Sequence, residues 1–179
     1  MKKVVFFLLI TIFCALNINA QNDTTKTGSK VSEKDAASIL DHHNKVRATL
    51  GIPPLTWNSE ISNYAQEWAN YLVEKNKNEI AHRSWLGKNI KQFGENIFWG
   101  HPYDYYSVLS ASESWYSEIE EYIYQPITES NIQNTGHYSQ MIWSTTKEIG
   151  VGIAKGTDGS IIIVANYFPA GNIIGLKPY

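Results

Sequence analysis

The segment Ser160-Ile-Ile-Ile-Val-Ala-Asn-Tyr167, with the shorter run Ile149-Gly-Val-Gly-Ile-Ala154 before it, sets the strongest limit on how this chain folds. Both are β-branched, and Lys155-Gly-Thr-Asp-Gly159 between them has turn composition, so the pair reads as a β-hairpin. The segments upstream with a regular apolar period follow a helical one instead. Ser32 to Asp35 resembles a capping box, after which Ala36, Ile39, Leu40, His43, Val46 and Leu50 recur at helical spacing. Gly51 and Pro53-Pro54 end that run. Asn58 or Ser59 caps a second helix with an apolar face of Ile61, Tyr64, Ala65, Trp68, Tyr71 and Leu72. The stretch from Ile80 to Gly100 is irregular, with a short strand at Ile97-Phe98-Trp99. A third helix is expected from Asp104 to Pro126, carrying Val108, Ala111, Trp115, Ile119 and Tyr122. Thr128 to Gly136 reads as a polar loop, and Ser139 to Trp143 as one or two helical turns. Helices followed by a terminal hairpin make an α+β or layered domain.

The 179 residues suit one domain. Residues 1–20 have the form of a secretory signal peptide: Lys2 and Lys3, an apolar stretch from Val4 to Leu16, and a small-residue exit at Ala20. The apolar run is short for a membrane span. A lipid anchor on Cys14 is disfavoured by the bulky Phe13 before it. Residues 21–35 are read as a flexible lead and 36–179 as the folded domain. The location implied is extracellular or periplasmic. Cys14 is the one cysteine, so the domain relies on its hydrophobic core. The formal net charge of −2 becomes more negative once the two leader lysines are removed, which argues against nucleic acid as a partner.

Five histidines are present, none in a compact metal-binding spacing, and without cysteine a structural zinc cluster is excluded. Among the acids of the third helix, Glu118 lies roughly 70° from the apolar stripe centred near Trp115 and Ile119 at 100° per residue. Glu113, Glu120 and Glu121 lie beyond about 120° on the same geometry. Glu118 therefore borders the buried face and needs a cation, a metal or a protonated histidine beside it. Glu95, after Gly94, reads on its own as a surface turn acid. His82 and His137 read as hydrogen-bonded histidines beside aromatics, and His42 and His43 as helix residues, with His43 on the apolar stripe. Ser139 stands two residues from His137, a spacing at which helical side chains do not face each other.

Four stretches change the weight of these residues: HNKVRATLGIPPLTWN with YAQEWA (43–58 and 64–69), FGENIFWG (93–100), GHYSQMIWSTTKEIGVG (136–152) and ANYFPAGNIIGLKPY (165–179). Together they resemble the CAP superfamily of cysteine-rich secretory proteins, antigen 5 and class-one pathogenesis-related proteins. The resemblance implies a three-layer α-β-α sandwich. Its central cavity would carry two histidines and two acids, which by motif are His82, Glu95, Glu118 and His137. His82 and His137 would be the metal ligands, and two imidazoles suit Zn2+ or another divalent cation. The family's Cys-Asn-Tyr is Ala165-Asn166-Tyr167 here, so its disulfides are absent. Relatives are linked to sterols, lipids, glycans or protein partners, which implies a non-enzymatic extracellular binding domain. The alternatives are a zinc-dependent hydrolase or protease with Glu95 or Glu118 as base, and a purely structural tetrad.

Overall fold

The computed structural model describes residues 24–75, 79–84 and 92–179. The readings for residues 1–20, including Cys14, lie outside these. The elements run α1 (Thr24–Thr27), α2 (Glu33–Thr49), β1 (Thr56–Trp57), α3 (Ser59–Glu74), β2 (Gly94–Gly100), α4 (Val108–Ser117), α5 (Ile132–Met141), β3 (Glu148–Lys155) and β4 (Ile161–Phe168). Short 3-10 turns cover Tyr103–Tyr105 and Glu118–Glu120. The sheet order is β1-β3-β4-β2. β3 and β4 form the antiparallel hairpin expected from their β-branched runs, β2 joins β4 antiparallel, and β1 pairs parallel with β3.

Strand alternation divides the core into two layers of helix on one sheet. Ile161, Ile163, Ala165 and Tyr167 of β4 face α2, α4 and α5, where Ile39, Val46, Trp115, Tyr138 and Met141 pack on them. Ile162 and Val164 face α3, against Ala65, Ala69 and Leu72. The architecture is an α+β sandwich of three layers. Gly150 and Gly152 let α3 lie flat on β3: a Cβ at Gly150 would come within 2.2 Å of the Ser62 nitrogen, and one at Gly152 within 2.3 Å of the Gln66 nitrogen. Gln66 then bonds the strand directly, its Oε1 accepting from Ile153 N and its Nε2 donating to Ile153 O.

α2 and α3 start at caps legible in the sequence. The Ser32 side chain accepts from the Asp35 amide, and the Asn58 side chain from the amides of Glu60 and Ile61. On α2, Arg47 is fully buried and donates to the carbonyls of Pro53, Met141, Trp143 and Thr146, tying α2 to the end of α5. Burial lowers its pKa to about 10.

Three expectations differ from the structure. The lead is packed from Thr27 onward: Val31 is buried, the Lys30 amide donates to Gln66, and Trp57 Nε1 donates to the Thr27 carbonyl. α3 supplies partners that polar composition does not reveal. The third helix begins at Val108, because Ser107 and Ser110 form a reciprocal cap there. It ends at Ser117, so Ile119 falls in a 3-10 turn and is exposed. The polar loop is shorter than expected, since Ile132 to Gly136 are helical and join the next turns across a kink at Thr135 (φ −134°, ψ 15°).

Candidate functional site

β2 is an edge strand, and its first residues line a cleft of about 710 Å³. His82, Glu95 and His137 stand on its wall with Gly94, Asn96 and Gln140. Glu118 does not line it. It stands behind His137 and faces a separate recess with Ser117, Glu120 and Glu121. The four residues thus form two His–Glu pairs, one on each side of the strand edge.

In the first pair, Glu95 Oε1 lies 2.8 Å from His82 Nδ1 and accepts from the Arg83 amide at 3.0 Å. Its Oε2 accepts from Asn166 Nδ2 at 3.2 Å. The Glu95 side chain is 7% exposed and that of His82 64%. Glu95 is therefore a buried acid with every oxygen engaged, not a surface turn acid. β2 explains this: Glu95 pairs with Asn166 across the ladder, so both side chains lie on the same face.

In the second pair, Glu118 Oε1 lies 2.5 Å from His137 Nδ1, and Oε2 accepts from the Tyr138 amide at 2.9 Å. The kink at Thr135 starts a fresh helical turn, whose leading amides need acceptors. Glu118 provides one, at the end of that turn that favours negative charge. The Trp115 ring lies nearly parallel to that of His137, with centroids 6.3 Å apart. Glu118 lies at the border of the buried face, as helical periodicity expects, although the helix stops one residue before it: the 3-10 turn keeps its side chain only 19% exposed.

An ionised carboxylate only accepts hydrogen bonds, so each imidazole donates through Nδ1–H, and in the neutral ring Nε2 keeps its lone pair. That is the tautomer in which carboxylate-supported histidines bind metal. Among the described residues, no group of three or more His, Cys, Asp or Glu side chains is arranged to hold an ion. Among these residues the set offers two nitrogens and no third protein ligand.

A buried polar chain fixes the second wall, and sequence reasoning missed most of it. Asn96 Nδ2 donates to the His137 carbonyl at 3.1 Å and to Tyr167 Oη at 3.2 Å. Tyr167 Oη lies 2.9 Å from His43 Nε2, and His43 Nδ1 lies 2.9 Å from the Ile39 carbonyl. Since Nδ1–H must serve that carbonyl, Nε2 accepts from Tyr167. Burial pushes the His43 imidazole down to about 3 and the Tyr167 phenol upward, so both stay neutral. His43 is thus a hydrogen-bonded core residue, as its place on the apolar stripe suggested. His42 bonds Ser112 at 2.7 Å. Ser139 donates to Asn172 Oδ1 at 2.6 Å and makes no pair with His137. The available signal for Asn96 was its place beside Glu95 in a strand, which puts its side chain on the opposite face.

Known proteins place this geometry in context. Residues 40–167 match the model of CAP, the cysteine-rich secretory protein family. Pathogenesis-related protein 1C of Nicotiana tabacum is 33% identical over 178 residues, covering 97% of this chain and 94% of its own. The Golgi-associated plant pathogenesis-related protein 1 of Homo sapiens is 35% identical, over 82% of this chain and 90% of its own. Venom allergen 5 of Microctonus hyperodae is 31% identical over 87% and 79%. In fold, the crystal structure of NaASP2 with Zn2+ superposes with a TM-score of 0.70 at 23% identity, over 83% of this chain and 86% of that one. The family match spans most of the sequence, and a relative 33% identical covers nearly all of it: the chain belongs to the CAP family of cysteine-rich secretory proteins.

Proposed function

We propose that this is an exported, non-enzymatic binding domain whose cleft holds a divalent cation, zinc or a similar borderline ion, on His82 and His137. The cation would help to hold an extracellular lipid, glycan or protein ligand. The observation that carries this reading is the state of the two imidazoles. Each has Nδ1 engaged by a carboxylate, which in the neutral ring makes Nε2 the ligand nitrogen. Two such nitrogens suit a borderline ion that completes its sphere with water or with the bound molecule. The ion would supply a positive centre and exchangeable positions. Export is supported by the leader-like residues 1–20 and by the family. Among the described residues, no helix is long and apolar enough to cross a membrane.

The carboxylates support binding over hydrolysis. A general base must reach a water in the cleft. Glu118 faces the separate recess behind His137, and the Glu95 side chain is only 7% exposed, with His82, Arg83 and Asn166 around its oxygens. Both acids orient the histidines.

Zinc titration by calorimetry on the purified protein tests the proposal, beside His82→Ala and His137→Ala. The expected result is one ion per chain, lost in both variants. Absence of binding, or binding indifferent to both changes, leaves the pairs with a structural role alone.

A further inference from the structure

His82 is weakly held for a residue with a ligand role. It lies in a segment, residues 79–84, with no helix or strand, and its side chain is 64% exposed. Its one hydrogen bond among the described residues, to Glu95, is worth little more than the rotamer entropy lost in making it. Something else must keep the ring in place.

The residue after it is anchored through its amide and both terminal guanidinium nitrogens. The Arg83 amide donates to the same Glu95 Oε1 that receives His82 Nδ1. The Arg83 guanidinium lies 3.7 Å over the centroid of the Tyr64 ring. Its Nη1 donates to the Tyr64 carbonyl at 3.0 Å, and its Nη2 meets Glu67 at 3.2 Å. The Tyr64 ring is itself braced edge-on by Phe93, with centroids 5.0 Å apart. On the other side of His82, Trp68 Nε1 donates to the Ala81 carbonyl at 2.9 Å. Tyr64, Glu67 and Trp68 occupy one face of α3, three and four residues apart.

We propose that Arg83 is the positioning residue for His82: its guanidinium, seated on Tyr64 of α3, holds the neighbouring backbone where Glu95 Oε1 can receive both the Arg83 amide and the His82 ring. The planar fork suits this role, because it stacks on the ring and donates to the carbonyl at once. As it bears on metal affinity, this rests on the proposed cation site; as it bears on the ring, it stands without it.

The test uses two readouts on the full chain. The first is the 15N spectrum of the His82 imidazole at a pH where the ring is neutral. The second is zinc affinity by calorimetry. With Arg83 present, His82 should show the Nδ1–H tautomer alone. Arg83→Ala should mix the two tautomers and weaken zinc about tenfold or more, as loss of a supporting partner does, with thermal stability close to that of the parent. Arg83→Lys keeps a cation over Tyr64 and should recover part of both effects. Glu67→Gln removes only an exposed ion pair and should change neither. A single Nδ1–H tautomer in Arg83→Ala overturns the assignment, whatever zinc does. If the parent chain binds no zinc, the proposed cation site falls, and the tautomer alone decides the role of Arg83.

Discussion

Glu95 and Asn96 are consecutive on β2 and hold opposite walls of the cleft. Glu95 Oε1 lies 2.8 Å from His82 Nδ1 on the α3 side, and Asn96 Nδ2 donates to the His137 carbonyl at 3.1 Å on the other. A strand turns successive side chains to opposite faces, so one dipeptide at a sheet edge serves both sides. Both histidine walls are therefore anchored on the same short strand. A one-residue slip of β2 against β4 would exchange the two faces and dismantle both walls at once.

Tyr167→Phe isolates the buried chain behind His137. The ring still fills its place in the core, but His43 Nε2 loses its donor and Asn96 one acceptor. Leaving a buried polar group unpaired costs about 1–3 kcal/mol. Urea unfolding should show a loss in that range with an unchanged denaturant slope. A midpoint equal to that of the parent would mean that the hydroxyl contributes nothing net.

The same chain makes stability depend on pH. The His43 pKa is depressed from 6.5 to about 3 in the folded state, chiefly by burial. Above 6.5 the residue is neutral in both states and carries no penalty. Below 6.5 the unfolded chain takes up a proton that the folded chain refuses, so stability falls toward pH 3 by up to about 1.4 kcal/mol per pH unit from this group. His42, lowered mainly by partial burial, acts in the same direction. Urea midpoints at pH 7.5 and pH 5 measure the slope, and His43→Gln should flatten it. An unchanged slope would assign the acid sensitivity to other groups.

Legibility in the sequence followed the range of the interaction. The hairpin and the caps at Ser32 and Asn58 are local, and all appear where spacing and composition put them. Glu118 was readable because amphipathic geometry marks the border of a buried face. Glu95 was not, because its burial depends on Asn166, 71 residues away, and on the irregular segment carrying Arg83. The early end of α4 was missed for a similar reason: the apolar period continues through Ile119 and Tyr122 while the backbone changes to a 3-10 turn. The packing of Thr27 to Val31 was invisible because its partners are distant side chains, Trp57 of β1 and Gln66 of α3.

Gly150→Ala tests how closely α3 must approach the sheet. The new Cβ would lie 2.2 Å from the Ser62 nitrogen and 2.5 Å from the Ile61 carbonyl carbon, both backbone atoms that cannot swing aside. α3 would have to lift away, and overpacking of this kind costs about 1–3 kcal/mol or more. Gly51→Ala provides contrast. Nothing lies within 4 Å of that Cβ, and the cost there comes from its positive φ of 67°. Thermal unfolding should place Gly150→Ala well below the parent, with hydrogen exchange accelerated along α3. Loss confined to the α2 side of the sheet would contradict the close-approach argument.

Glu118→Gln separates orientation from catalysis in one substitution. A glutamine keeps the shape and retains an oxygen for the Tyr138 amide. That leaves its NH2 group against His137 Nδ1, which must then give up its proton to accept. The ring would carry its hydrogen on Nε2, the nitrogen proposed to face the ion. Zinc affinity should therefore fall by about 10–100-fold, the usual effect of losing a carboxylate behind a metal-binding histidine. Calorimetry reads the affinity, and 15N shifts of His137 read the tautomer. If the tautomer inverts while zinc affinity holds, His137 is not a ligand and the cation reading fails on this wall. If a peptide- or ester-hydrolysing activity were present in the parent and vanished here, Glu118 would be acting as a base, against the assignment of both its oxygens to His137 and Tyr138.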